Sequence, residues 1–205
     1  MEQLARGKTF IISGPSGVGK GTVLKELFKK RDMYYSVSAT TRAPRDGEVD
    51  GVHYHFMDVE EFRTMIAEDA LLEHAEYAGN YYGTPKRYVD EAMDRGQDVI
   101  LEIEVDGGGQ VKKLLGDRCV SVMLIAPSAE EQEARLRGRG TESEEVIQGR
   151  LACAKAEIRE AVNYDYVVVN ENNKSRECAE EIMAIMKAEH RKTARMMEYI
   201  SEYFE

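Results

Sequence analysis

Apolar residues gather in four strand-sized runs along this chain: Thr9 to Ile12, Val99 to Ile103, Val120 to Ala126 and Tyr166 to Val169. Runs of this kind predict strands buried on both faces. Between them the apolar positions recur at helical spacing. Periodicity, length and caps predict helices near 20–31, 85–96, 108–115, 129–138, 143–162 and 176–203, with Ser128…Glu131 and Thr141…Glu144 as capping boxes. Strands alternating with helices predict an α/β fold, a parallel sheet flanked by helices. The segment 34–88 breaks this rhythm with short polar alternations, tyrosines and turn signals at Arg45-Asp46-Gly47 and Ala78-Gly79-Asn80. It reads as an insertion that belongs to one folding unit and moves against it.

The first strand feeds Ser13-Gly14-Pro15-Ser16-Gly17-Val18-Gly19-Lys20-Gly21-Thr22 and then a helix. Glycines at 14, 17 and 19 let successive backbone N–H groups turn toward one anion, the helix N-terminus adds its positive end, and Lys20 reaches outer phosphates. The pattern G-x-x-x-x-G-K-[ST] is met except at its last place. Gly21 stands where a hydroxyl would meet magnesium, and Thr22, one residue later, is the substitute. A second chemical run is Leu101-Glu102-Ile103-Glu104-Val105-Asp106, where a period of two predicts three carboxylates on one side of a strand. Acids at the C-terminal end of a parallel strand point to a ligand site.

Composition narrows the class. The 205 residues, 42% hydrophobic and 32% charged, suit one soluble globular unit, and no apolar run approaches membrane-spanning length. The N-terminus lacks the basic-then-apolar build of a signal peptide, so a cytoplasmic protein is expected. Cys119, Cys153 and Cys178 lie far apart without metal-type spacing and are expected as reduced, small buried side chains. A net charge of −10 argues against a general nucleic-acid or anionic-membrane surface.

Within the insertion, Ser36-Val37-Ser38-Ala39-Thr40-Thr41-Arg42-Ala43-Pro44-Arg45 sets two guanidinium groups beside a proline-stiffened turn, a pairing suited to phosphate oxygens. Downstream, Val52-His53-Tyr54-His55-Phe56, Leu71-Leu72-Glu73-His74 and Asn80-Tyr81-Tyr82-Gly83-Thr84 add phenols, a carboxylate and a hydroxyl. Together with the glycine loop, the acidic run, the cationic stretch Arg135-Leu136-Arg137-Gly138-Arg139-Gly140-Thr141 and the segment ending Val168-Val169-Asn170, these motifs resemble the guanylate kinase family over nearly the whole chain. The resemblance implies a P-loop nucleotide-kinase fold with a core of 1–33, 89–126 and 154–205, a GMP-binding insertion at 34–88 and a lid at 127–153. It implies transfer of the terminal phosphoryl group of ATP to GMP with Mg2+, giving ADP and GDP.

By the same resemblance, ATP lies on Gly14, Pro15, Ser16, Gly17, Val18, Gly19, Lys20, Gly21, Thr22 and Asn170. Arg42, Arg45, Tyr54 and Tyr82 hold the GMP phosphate, Glu73 and Glu104 accept from guanine nitrogens, and Ser38 and Thr84 face O6. Lys20 with Arg42, Arg45, Arg135, Arg139 and Arg150 meets the charge of the transferring group, while Arg137 is read as solvated. Thr22 and Glu102 are the residues assigned to magnesium. The family more often has aspartates where Glu102 and Glu104 stand, and Gln where Asp106 stands.

Guanine itself argues for such a set, since one edge offers an acceptor at O6 and donors at N1 and N2. Adenine would leave buried groups unpaired, a mismatch that discriminates by roughly 10⁴. The attacking phosphate is already anionic, so no protein base is expected; alignment, water exclusion and charge stabilisation are. Gly19-Lys20-Gly21-Thr22 also looks like adenylate kinase, but the guanine-edge residues decide against it. Asp106-Gly107-Gly108-Gly109-Gln110 fits the D-x-x-G-Q of a GTPase, yet Asn173-Lys174-Ser175-Arg176 lacks the closing aspartate of N-K-x-D. A non-catalytic scaffold module would bind phosphopeptide in the monophosphate cleft; Lys20 and the lid arginines favour an enzyme. His53 and His55 share a strand face without a third zinc ligand. The Met196-Met197-Glu198-Tyr199-Ile200 stretch is read as core cover or a contact between like chains.

Overall fold

A computed structural model describes residues 6–138, 140 and 143–202 of the chain. In order along the sequence these form β1 (Thr9–Ser13), α1 (Lys20–Phe28), β2 (Tyr34–Tyr35), β3 (Ala39–Thr40), β4 (His55–Phe56), α2 (Val59–Ala67), β5 (Leu71–Tyr77) and β6 (Asn80–Pro85). There follow α3 (Lys86–Asp94), β7 (Val99–Glu102), α4 (Val105–Leu115), β8 (Cys119–Ile125), α5 (Ala129–Arg137), α6 (Glu144–Arg159), β9 (Tyr166–Val169), α7 (Ser175–His190) and α8 (Thr193–Glu202). No helix among the described residues is long and apolar enough to cross a membrane. The chain divides into two compact units, one within 1–13 and 32–121, the other within 14–31 and 122–205.

In the first unit β2, β7 and β1 pair in parallel, with Thr9 opposite Val99 and Ile12 opposite Glu102. The strands are buried on both faces, as their unbroken apolar runs require: Phe10, Ile11, Ile12, Val99 and Ile100 are all fully buried. Leu72, Val89, Ala92, Leu101 and Val111 join Ile11 in one apolar cluster against α3 and α4. A second sheet runs β4-β3-β6-β5, parallel between β3 and β4 and antiparallel elsewhere, with the β5–β6 hairpin turning at Ala78 and Gly79. Helix α2 supports it by burying Phe62 with Leu71 and Ala39, and Asp58 caps that helix by accepting from the Glu61 N–H. The sequence reading had no helix there.

In the second unit β8 and β9 pair in parallel, Val122 opposite Tyr166, and α1 packs on α7. Buried on these two helices are Val23, Leu24 and Leu27 of α1, and Cys178, Ile182, Met183 and Met186 of α7. Ser128 caps α5 as expected, accepting from the Glu131 N–H. Helix α6 is capped instead by Ser143, whose hydroxyl accepts from the Val146 N–H; the expected cap Thr141 lies outside the described residues. None of the three cysteines is in a disulfide among the described residues; Cys119 and Cys178 are buried but Cys153 is exposed.

Three expected boundaries moved. The acidic run 101–106 is not one strand: β7 stops at Glu102, Glu104 is the N-cap residue of α4, and Asp106 sits in its first turn. Three consecutive glycines weaken helix propensity there, and burial of Val105 and Val111 supplies what propensity lacks. Helix α6 ends at Arg159 and tightens into a 3₁₀ turn over Glu160–Asn163. The single helix expected over 176–203 is broken after His190. At the break the fully buried Glu189 carboxylate accepts from the Tyr166 phenol at 2.7 Å, and the Lys192 ammonium turns back to it at 2.7 Å.

A buried carboxylate is tolerated only while both partners hold it. Glu189→Ala should therefore cost about 2 kcal/mol in urea unfolding, with Glu189→Gln, which retains an acceptor for Tyr166, costing less. Equal stability of Glu189→Ala and wild type would remove the carboxylate from any part in fixing the α7–α8 break.

Candidate active site

The loop between β1 and α1 takes a backbone course that Cβ-bearing residues avoid, with φ 89° at Gly17 and 91° at Gly19. Space imposes the same choice at Gly19, where an added Cβ would lie 2.6 Å from the Asn170 side-chain nitrogen. Helix α1 has no side-chain cap at its N-terminus among the described residues; its Thr22 N–H turns back to the Gly19 carbonyl at 3.1 Å, which leaves those of Lys20 and Gly21 for a ligand. The loop's oxygens are engaged from elsewhere in the same unit. Asn170 Nδ2 donates to the Val18 carbonyl at 2.7 Å, Gln132 Nε2 to the Ser16 carbonyl at 2.8 Å, and Arg150 Nη1 to the Ser16 hydroxyl at 2.8 Å. With the oxygens held, the amides are presented to an anion. Lys20 donates to the Gly14 carbonyl, an interaction a phosphate would replace.

Arg135 is tied by several bonds: to the Glu131 carboxylate at 3.1 Å, the Val18 carbonyl at 3.3 Å, the Asn170 carbonyl at 2.8 Å and the Asn172 side chain at 2.6 Å. Sequence reading gave it to the phosphates; here it braces the phosphate loop against the end of β9. Arg137 pairs with Glu133 and Glu144 in exposed surroundings, in keeping with a solvated role. Arg139 lies outside the described residues. The Asn170 Oδ1 atom is buried without a partner among the described residues, an acceptor held beside the loop.

In the first unit, antiparallel pairing of β5 and β6 brings Glu73 and Thr84 together. The Thr84 hydroxyl donates to Glu73 Oε1 at 2.6 Å, and both residues are buried. Burial pushes the Glu73 carboxyl above its ordinary pKa, and the Thr84 bond opposes that rise without cancelling it. This is no solvated helix-end charge but a buried, costly acceptor. Ser38 is half-buried, its carbonyl accepting from the His55 N–H, and Glu104 is exposed at the start of α4. No hydrogen bond between described residues joins either of them to the Glu73–Thr84 pair.

Arg42 pairs with Glu48 at 2.9 Å, with the two side chains only 15% and 17% exposed, and donates to the Ala43 carbonyl at 2.8 Å. Its guanidinium stands 5.4 Å from the Tyr54 ring centre, and Tyr54 meets Tyr82 edge-on at 6.1 Å. Three expected phosphate contacts are thus adjacent. Glu48 was missed by sequence reading, although a carboxylate three places after Arg45 was its signal. It accepts the Arg45 N–H at 2.7 Å as well, and the Arg42 bond first, then that amide, holds its carboxyl down to about 2. The Arg45 side chain is exposed.

Oxygen donors suit magnesium, and Thr22, exposed in the first turn of α1, and Glu102 are of that kind. Glu102 accepts from the Tyr35 phenol at 3.0 Å through one oxygen, and burial first, then the Glu102 charge, raises the Tyr35 pKa. Among the described residues no three or more His, Cys, Asp or Glu side chains are grouped as a metal cage. An added Cβ at Gly21 would meet nothing within 4 Å, so crowding does not explain the missing hydroxyl there. His55 stacks on Tyr88 at 4.4 Å, while His53 lies in a turn and accepts from the Val49 N–H, so the two do not share a strand face.

Known proteins resemble this chain over nearly its whole length. A family model for guanylate kinase matches residues 6–189. The guanylate kinase of Bacillus anthracis is 51% identical over 202 residues, covering 98% of this chain and 97% of that protein. That of Halalkalibacterium halodurans is 51% identical over 194 residues, 94% of each. The crystal structure of guanylate kinase from Anaplasma phagocytophilum matches with a TM-score of 0.70 and 34% identity, over 93% of this chain and 90% of that one.

Glu73 also predicts a pH effect. A carboxyl whose folded pKa is raised costs stability once pH climbs above its ordinary value of 4.5, and the cost is complete above the folded pKa. Glu73→Gln should thus raise the Tm of the ligand-free protein at pH 7 and lose that advantage as pH falls toward 4. A variant less stable than wild type at pH 7 would show that the Thr84 bond outweighs burial.

Proposed function

The chain belongs to the guanylate kinase family, and from that premise we infer that it is an ATP:GMP phosphotransferase, moving the terminal phosphoryl group of ATP to GMP and releasing ADP and GDP. The observation that carries the reading is the buried Glu73 carboxylate with the Thr84 hydroxyl beside it. On binding, Glu73 would exchange the Thr84 proton for the N1 and N2 hydrogens of guanine, and Thr84 would turn its proton to O6. Adenine offers N1 as a lone pair and an amino group in place of O6, leaving both buried groups wrongly paired. Ser38 and Glu104 complete the proposed base edge from 34–88 and the start of α4.

The acceptor phosphate is assigned to Arg42, Arg45, Tyr54 and Tyr82. It would compete with Glu48 for the Arg42 guanidinium, so binding exchanges one anion for another rather than exposing a bare cation. The donor phosphates are assigned to the amides of 14–22, with Lys20 leaving the Gly14 carbonyl for an outer phosphate. Asn170 Oδ1, without a partner among the described residues, would be an acceptor at the same loop for the donor nucleotide. Arg150 and Arg139 would turn from the lid, 127–153, to the charge that spreads over the transferring group. Thr22 and Glu102 would hold magnesium, whose chemistry there is neutralisation of phosphate charge. No side chain need remove a proton, since the attacking phosphate oxygen is anionic near neutral pH. A cytoplasmic location is part of the same proposal.

A coupled assay of ADP release with ATP, Mg2+ and each nucleoside monophosphate tests the activity; GMP-selective turnover supports it, and phosphopeptide binding without transfer would favour a scaffold module. Lys20→Ala should lower kcat by roughly 10² to 10³, about 3 to 4 kcal/mol of transition-state stabilisation, with GMP affinity nearly intact. Near-wild-type turnover would remove Lys20 from the chemistry.

A further inference from the structure

Two features of α4 converge on the strand that carries Glu73. The first is Gly107, in the first turn of the helix and buried. An added Cβ there would lie 3.0 Å from Glu73 Oε2 and 3.4 Å from its Cδ and Cγ, closer than a carboxylate tolerates without shifting. The other oxygen, Oε1, is already held by Thr84 at 2.6 Å. The carboxylate is therefore bounded on one side by a hydroxyl and on the other by the bare backbone of a glycine.

The second feature is Gln110, nearly one turn further along. Its Oε1 accepts the His74 N–H and its Nε2 donates to the His74 carbonyl, each at 3.2 Å. His74 follows Glu73 directly. Strand β5 is the end strand of its sheet, and its register against β6 shifts between Leu71 and His74, the stretch that contains Glu73. Pairing with β6 alone leaves that stretch loosely specified. Gln110 supplies, with one side chain, the donor and acceptor that a further strand would have offered at the open edge.

We propose that Gly107 and Gln110 are positioning residues for base recognition: α4 sets where the Glu73 carboxylate stands, Gly107 by leaving it room and Gln110 by clamping the next residue of the strand. The proposal rests on Glu73 as the acceptor for guanine N1 and N2, and a third variant keeps the two ideas separable. Neither substitution threatens the fold, since alanine favours a helix over glycine and the Gln110 side chain is exposed.

The test compares GMP with IMP, which has the same O6 and N1–H but no 2-amino group, in wild type, Gly107→Ala, Gln110→Ala and Glu73→Gln. A displacement of a few tenths of an ångström at a recognition group should raise KM for GMP by roughly tenfold. Because the misplaced oxygen is one that meets the 2-amino group, preference for GMP over IMP should fall in Gly107→Ala and Gln110→Ala, with KM for ATP and Tm little changed. Gln110→Glu, which keeps the acceptor for the His74 N–H and loses the donor, should fall between. Equal losses for GMP and IMP, or none, would overturn the positioning role while a collapsed preference in Glu73→Gln leaves the reader in place. Unchanged preference in Glu73→Gln would remove the reader, and the positioning role with it.

Discussion

A loop that must present amides to an anion leaves several of its own oxygens to partners from elsewhere in the chain, and this constraint organises the second unit. The positive φ values at Gly17 and Gly19 turn N–H groups one way. The oxygens left over are met by side chains from α5, α6 and the residue after β9: Gln132 and Arg150 at Ser16, Asn170 and Arg135 at Val18. Each bond is of ordinary strength. Their shared effect is to hold the loop in its binding shape before a nucleotide arrives, so that less ordering is charged against affinity.

The first unit meets a related problem with the opposite sign. A site for a base edge and a phosphate needs a buried acceptor and a cation, both unfavourable when empty. Thr84 covers the Glu73 carboxylate and Glu48 covers the Arg42 guanidinium. These internal partners have the polarity of the groups that the proposed ligand would bring, an O–H for a base N–H and a carboxylate for a phosphate. In that proposal recognition would run by exchange of partners, which would keep the empty site folded and make a mismatched ligand costly.

Helix α4 carries the proposed link between fold and specificity within that unit. Of the glycines that make Asp106-Gly107-Gly108-Gly109-Gln110 a poor helix by propensity, Gly107 is the one whose missing Cβ leaves room for the Glu73 side chain. Packing of Val105 and Val111 into the apolar cluster compensates for weak propensity, and the closeness this permits serves the carboxylate.

Short-range chemistry made much of this legible in the chain. Four apolar runs gave the main strands and the glycine–lysine loop gave a phosphate site between strand and helix, because such signals lie within a few residues of one another, while the scattered carboxylate, hydroxyl and arginine set pointed to a guanine nucleotide through its resemblance to a known family. What sequence alone left out lies at long range or turns on burial. Arg135 stands 117 positions from the Val18 carbonyl it holds, and no local pattern announces that bond. Glu73 reads alike whether solvated or buried, and only the pairing of β5 with β6 decides which. The alternation in 101–106 spoke for one strand, yet it becomes a strand end, a cap and a helix because tertiary burial of Val105 outweighs a period of two. Residue types and spacing thus determined what chemistry the chain carries, while packing decided which of those groups are buried, which are already partnered, and which remain available to a ligand.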